Sequence, residues 1–348
     1  MNTTNILISL KTAVFLLVAL FLGVSSSQAL DLAAVEAEWT PPGGDAPITM
    51  WGFIPDPVTC PGAPVAWDVG PLEIVTAGGN LTINLRNCLP GDPVSIIIPG
   101  QGLPSGGTAP VWTDNSVGVR VNIAQRVRSF VHEAAPNGGT ATYTWNNLKS
   151  GTFMYQSGSH PAKQVHMGLY GALTVGTYAD TSSEVLLVFS EIDPALHATQ
   201  SAAKPLDYKP KYYLINGDTF SSADPVPVAQ SGIQAKAKKK VLLRMINAGL
   251  MSHVPVMQGP HMQIIAEDGN PYPYVKEQYS LHLAAGKTID AYWEPTKTGS
   301  YAMYDRRLSL TSNGTLGGGM LVYLDVDIKA PFPWPMFIPA MTRGGVVQ

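Results

Sequence analysis

Short runs of alternating apolar and polar residues, cut by glycine, proline and asparagine, recur from residue 48 to about residue 328 and leave room for little except β-structure. "LTINLRN", Leu81 to Asn87, alternates with period two, the mark of a strand with one buried face. Gly78-Gly79 and Pro90-Gly91-Asp92 bracket it as turns. "RVRSFVHEAAPNGGTATYTWNNLKSGTFMYQSG" holds three more strand candidates, split at "PNGG" and "NNLKSG", and "LYGALTVG" closes this first series. A second series runs through "YYLINGDTF", "KKKVLLRMINAG", "HMQIIAEDGN", "QYSLHLAAGKTIDAYWEP", "GSYAMYDRR" and "GGGMLVYLDV". Strands at short, regular spacing with Gly/Pro turns argue for β-sandwiches. The 34 glycines, 29 prolines and only 14% charged residues among 348 fit that class, and no helix of three turns is expected in the mature chain. A chain of this length has room for about two domains.

The ends read differently. In residues 1–29, Lys11 precedes the apolar run "TAVFLLVALFLGV", and Ser27 and Ala29 satisfy the small-x-small rule for removal of a signal peptide after Ala29. That run is shorter than the roughly 20 residues that span a bilayer. The expected destination is the periplasm or the outside of the cell, with no membrane span after cleavage. Residues 30–47 show no strong period and are expected to be an N-terminal arm. Residues 48–176 form the first domain, 177–210 a connector that contains the strand "SEVLLVFSEID", and 211–328 the second domain. The tail, 329–348, is Pro-rich and apolar; it is expected to lie in a groove or to join copies into a homo-oligomer. A net charge of −3 points away from nucleic acid.

Only two cysteines occur, Cys60 and Cys88, and in an exported chain they read as a disulfide closing a 28-residue loop. A blue-copper site needs a thiolate, two imidazoles and usually a methionine. No histidine lies near either cysteine in sequence. The seven histidines are His132, His160, His166, His197, His253, His261 and His282, and none forms a His-x-His pair. G-x-S-x-G, H-E-x-x-H and P-loop patterns are absent, so no catalytic residue is assigned.

Three stretches carry a resemblance to the multicopper oxidase (laccase-like) superfamily, built of cupredoxin domains. "LTINLRNCLPGDPVSIIIPGQGLP" resembles the strand and first copper loop of the first domain, with Ile97 and Pro99 at the two histidine positions. "GTFMYQSGSHPAKQVHMGLYGALTV" resembles the second loop, where the family reads Trp-Tyr-His-Ser-His, then Gln, then Gly-Leu-Tyr-Gly. Here Gln156 takes the place of the first ligand and His160 is the nearest stand-in for the second. Gln164 and Gly168 to Gly171 keep the frame. "VLLRMINAGLMSHVPVMQGPHMQIIAEDGNPY" resembles the family's second, copper-free domain. The family's third domain, with its His-Cys-His, has no counterpart. The resemblance implies two tandem cupredoxin-like Greek-key β-sandwiches with most copper ligands replaced.

Two functional readings follow. In the first, the chain has lost the type 1 and trinuclear ligands and serves a binding, structural or self-assembling role, not an enzymatic one. In the second, copper is the cofactor of an atypical His/Met site built from His132, His160 and His166, with help from Met154, in copper handling or a copper-dependent oxidoreductase. His253 and His261 read as second-domain framework, and neither His197 nor His282 has a neighbour that marks it out. Asp305 beside Arg306 and Arg307 reads as an Asp–Arg ion pair at a strand end. Lys236 to Lys240 read as a solvated turn, and Asn80 and Asn313 sit in glycosylation sequons.

Overall fold

The computed structural model describes residues 27–106, 109–179, 181–199, 208–220 and 234–327. The apolar run of the expected leader and the C-terminal tail lie outside them. In the first half, β1 (Ser27–Trp39), β2 (Ile48–Pro55), β3 (Gly70–Val75), β4 (Asn80–Asn87), β5 (Ile96–Ile97), β6 (Gly139–Trp145), β7 (Gly151–Ser157) and β8 (Tyr170–Val175) form two sheets. Their orders are β2-β1-β4-β6 and β3-β8-β7-β5. Neighbours in a sheet are rarely consecutive in the chain, so the connections cross between sheets in Greek-key fashion. The inward residues Leu81, Ile83 and Leu85 of β4 meet Phe53, Phe153, Tyr155 and Leu173 in the core. The intervening Thr82, Asn84 and Arg86 face outward, as the alternation requires.

The second half holds β9 (Ser183–Ile192), β10 (Tyr212–Ile215), β11 (Val241–Asn247), β12 (Pro255–Met257), β13 (Met262–Glu267), β14 (Asn270–Gln278), β15 (Thr288–Trp293), β16 (Gly299–Asp305) and β17 (Leu321–Val326). One sheet runs β14-β13-β15-β11-β9-β10 and continues into short strands at 311–312 and 315–316; the other runs β17-β16-β12. The two helices used below are short: α1 (Pro161–Gln164) and α2 (Pro194–Thr199). No helix among the described residues is long and apolar enough to cross a membrane.

Two segments differ from their sequence reading. Residues 30–39, expected to be an arm, lie in β1, which sits between β2 and β4. The strand starts at Ser27, so the last three residues of the expected leader pair with Asn80 to Thr82. Leu32, Ala33, Ala34 and Val35 are all buried. A strand covered on both faces has no polar alternation to reveal it. β9, read as a strand but placed within a connector, is found between β11 and β10. Its Val185, Leu187 and Phe189 enter the core of the second sandwich, whereas Leu186, Val188 and Ile192 face the first.

That second face builds the junction. Trp39, Met50, Trp67, Met154, Tyr170 and Ala172 of the first half share one apolar cluster with Val188, Ile192, Tyr212, Leu214 and Ile246 of the second. The sandwiches are therefore joined by a core of their own.

Cys60, in the loop after β2, is disulfide-bonded to Cys88, just beyond β4, across a sequence separation of 28. The bridge ties an otherwise irregular loop to the sheet. Replacing both cysteines by serine is expected to cost about 2–4 kcal/mol through the enlarged unfolded ensemble. Urea unfolding of the variant against the oxidised parent measures it, and a loss under about 0.5 kcal/mol would contradict the assignment.

Candidate functional site

The two loops that carry the family resemblance meet at one sheet edge. β5 pairs with β7 so that Ile97 lies opposite Gln156 and Ile96 opposite Ser157. An isoleucine and a glutamine thus sit side by side where the resemblance puts histidines. Behind them a hydroxyl network closes the loops. Ser129 Oγ donates to the Val131 carbonyl at 2.7 Å and Ser159 Oγ to Glu133 Oε1 at 2.7 Å. Ser95 Oγ, 2.9 Å from Ser129 Oγ and 3.0 Å from Ser159 Oγ, has one proton to give to either. Ser157 Oγ donates to Gln164 Oε1 at 2.6 Å, and Gln164 Nε2 donates to the Pro93 carbonyl at 2.9 Å. Arg128 neutralises Glu133 at 2.6 Å. Ser95, Ser129, Ser157, Ser159 and Gln164 are fully buried, so each of these bonds replaces water.

The "GLYG" frame has a steric cause. Gly168 has φ +115°, and a Cβ there would sit 2.4 Å from the Trp51 carbonyl oxygen. A Cβ at Gly171 would sit 2.2 Å from the Tyr155 hydroxyl. Any larger residue would push β8 off β2 or off β7.

The three expected ligands are not brought together. Among the described residues no three His, Cys, Asp or Glu side chains are grouped so as to hold a metal ion. The His132 ring stacks on Tyr143 at 4.5 Å, with Nε2 3.1 Å from the Thr142 carbonyl. A carbonyl only accepts, so that nitrogen carries the proton. His160 adopts a left-handed conformation at φ 40° ahead of α1. Its backbone binds the Arg128 carbonyl at 2.7 Å, and burial and then Arg128 hold its imidazole below the ordinary pKa. His166 turns away, into the junction between the halves.

There it meets a residue that the sequence did not single out. Asp193 accepts from the Ala195 amide at 3.0 Å and so caps α2, which packs on β2 and carries His197. The His166 and His197 rings lie 4.5 Å apart, edge to face, with Tyr208 5.8 Å from His166. His197 Nδ1 lies 2.8 Å from the Thr49 carbonyl. Burial drives the His197 pKa down to about 3, with the neighbouring His166 adding to the effect; burial also lowers His166. Nothing in the local sequence marks this pair, because one ring comes from each half.

Two further polar groups are sealed nearby. His253 lies between Glu191, at 2.9 Å, and Asp305, at 3.3 Å. Asp305 therefore pairs with a distant histidine and not with the adjacent arginines. It ends β16 pointing inward, and the next residue along a strand faces the other way. Arg244 reaches from β11 to Thr152 and Gly176 of the first half, near Asp290. Beside the β5 loop, a cleft of about 450 Å³ opens between the halves, lined by Pro99, Gly100, Met154, Asp268, Lys287 and Thr288 among others.

Comparison with known proteins places this geometry. The family model described as multicopper oxidase matches residues 191–324. A laccase of Cryphonectria parasitica is 24% identical over 243 residues, 64% of this chain, and the chain spans only 39% of that laccase. The crystal structure of a blue copper oxidase from Nitrosomonas europaea superposes with a TM-score of 0.67 at 20% identity, covering 86% of each chain. A multicopper oxidase structure named mgLAC gives a TM-score of 0.67 at 18% identity over 89% of each chain. At these identities the structural likeness speaks for the fold.

Proposed function

This chain belongs to the multicopper oxidase superfamily, and from that premise we propose that it is an exported member without oxygen-reducing activity, kept for a binding or structural role. The observation that carries this reading is the closed edge at Ile97 and Gln156. An apolar side chain and a neutral amide are cross-strand partners there, backed by the saturated network of Ser95, Ser129, Ser157, Ser159 and Gln164. The residues present do not fit a type 1 or trinuclear copper centre. Both cysteines of the chain are bound to each other, so neither supplies a thiolate. Cupredoxin sandwiches outlast their metal, since function sits in the loops and the core holds without them. The cleft between the halves, next to the altered loop, offers concave surface for a binding role.

The test reconstitutes the mature protein with Cu(II), removes excess by dialysis, counts metal by mass spectrometry and follows dioxygen uptake with a phenolic electron donor. No dioxygen consumption and no paramagnetic type 1 signal are expected. Two or more coppers held per chain together with dioxygen reduction would overturn the proposal.

A further inference from the structure

Two imidazoles meet at the junction, and the second nitrogen of each is left unanswered. His197 is fully buried and His166 is 7% exposed. Their rings touch edge to face at 4.5 Å, one from each half. Both Nε2 atoms are buried without a hydrogen-bond partner. Such orphaned polar atoms are rare in folded proteins and each needs a cause. The Thr49 carbonyl, 2.8 Å from His197 Nδ1, can only accept, so Nδ1 bears the hydrogen and Nε2 a bare lone pair. A proton added to that lone pair would have no acceptor and no water to solvate it. Met50, Val165 and Ile192, the sequence neighbours of Thr49, His166 and Asp193, belong to the apolar cluster that joins the sandwiches. The pair therefore lies against the seam itself.

The titratable groups that face the pair are Asp193, Glu191 and Tyr208. Asp193 already accepts from the Ala195 and Lys209 amides, at 3.0 and 2.7 Å. Glu191 accepts from the Leu250 and Met251 amides, from Tyr208 and from His253. Their charge favours a cation at His166, but burial outweighs it and holds that imidazole below its ordinary pKa. Burial, and then the neighbouring His166, bring His197 down to about 3. Burial and Glu191 keep the Tyr208 hydroxyl protonated.

We propose that His166 and His197 form an acid-released latch: both rings are neutral while the sandwiches are docked, and proton uptake by the pair loosens the junction. Protonated, the rings would be two cations in contact, one fixed to each half, and like charges repel. Both folded-state pKa values lie below the unfolded 6.5, so the pair's share of docking is complete above 6.5. It is lost as pH falls, toward about 3 for His197 and toward its own lowered value for His166. Each ring that takes up a proton on opening shifts the open-to-closed ratio roughly tenfold per pH unit in that window, so the two together shift it about a hundredfold. The cleft has Pro99, Gly100 and Met154 from one half and Asp268, Lys287 and Thr288 from the other, so a loosened junction reshapes it. The latch needs neither copper nor dioxygen chemistry and is independent of the function proposed above.

The experiment is brief peroxide labelling of the mature protein from about pH 7.5 to about 5, above ordinary carboxylate titration, with methionine sulfoxides counted by mass spectrometry. Met50 and Met154 lie in the seam, whereas Met245, Met303 and Met320 lie in the core of the second sandwich. Oxidation of Met50 and Met154 is expected to rise at least about tenfold between roughly pH 6.5 and 5.5, while the three core methionines stay constant. The double variant His166→Gln, His197→Gln is expected to lose the rise. His160→Gln, which removes another imidazole held below its ordinary pKa, is expected to keep it. Circular dichroism certifies that the variants fold. Should the double variant fail to fold, the ring nitrogen shifts of the unaltered protein decide alone: a charged His197 ring in the docked protein at about pH 6 refutes the latch. A flat response of Met50 and Met154 in the parent, a rise shared by the core methionines, or an equal rise in the folded double variant overturns the proposal and leaves the test of dioxygen reduction untouched.

Discussion

His253→Ala is expected to lose about 3–5 kcal/mol of stability, the range for breaking one member of a buried charged group. The ring is 0% exposed. Its Nε2 lies 2.9 Å from Glu191 Oε2 and its Nδ1 3.3 Å from Asp305 Oδ2. Both acceptors are carboxylates, so both nitrogens must carry hydrogens, and the ring is an imidazolium held between two anions. Burial alone would lower its pKa; the bonds to Asp305 and Glu191 and their charge reverse this and raise it. Asp305, penalised by burial but compensated by His253, Val254 and Ser309, is held down at about 2. Glu191 is a hub, accepting also from the Leu250 and Met251 amides at 2.7 Å each and from the Tyr208 hydroxyl at 3.0 Å. Removing the imidazolium leaves two sealed carboxylates facing an empty space. Urea denaturation of parent and variant measures the loss, and a difference below about 1 kcal/mol would show that the group is not a charged triad.

The sign of the pH dependence follows. The folded-state pKa of His253 lies above its unfolded value of 6.5, so its contribution is complete below 6.5 and is lost as pH rises through the folded value. The folded-state pKa of Asp305 lies below its unfolded 3.8, so its share is present above 3.8 and is lost as pH falls toward about 2. The gap between parent and His253→Ala should therefore be widest between these limits and narrow on both sides. A gap that stays flat from acid to alkali would contradict the assignment of charge.

How much of this was open to reading depends on how many faces of a strand meet water. β4 announces itself because Thr82, Asn84 and Arg86 face out while Leu81, Ile83 and Leu85 face in. Leu32 to Val35 of β1 and Leu187 to Phe189 of β9 are buried on both faces, so those stretches carry no polar alternation. The Gly168 to Gly171 frame was legible because sterics admit nothing larger. The nearness of the two loops was legible too, since Ile97 and Gln156 meet across one pair of strands. Their hydroxyl network was not, because it joins Ser95, Ser129 and the Ser157–Ser159 segment, which lie far apart in the chain. His166 and His197 converge only once the halves dock, and local sequence holds no trace of docking.

Beside the apolar junction, one buried cation ties the halves together, and Arg244→Met is expected to cost about 3–5 kcal/mol although methionine nearly fills the volume. The guanidinium is 1% exposed. It donates to Glu184 Oε2 at 2.8 Å within its own half, then crosses the junction to Thr152 Oγ1 at 2.9 Å and the Gly176 carbonyl at 3.0 Å. Asp290, also buried, lies 3.9 Å away, and it accepts from Thr152 Oγ1 and, at 2.8 Å, from the Tyr178 hydroxyl. Five groups from two sandwiches are thus satisfied around one cation. Burial already raises the pKa of Asp290, with Thr152 and Arg244 holding it back. Without Arg244 the carboxyl will retain its proton to higher pH still. A carboxyl with a raised folded pKa stabilises below its unfolded value, here 3.8, and that stability is lost as pH rises through the folded value. The deficit of Arg244→Met should therefore grow from acid toward neutral pH. Adding Asp290→Asn should recover part of it, because the uncompensated charge is gone, giving a coupling of about 1–3 kcal/mol in a double-mutant cycle. Strictly additive losses for the two substitutions would show that Arg244 holds the halves through Thr152 and Gly176 alone.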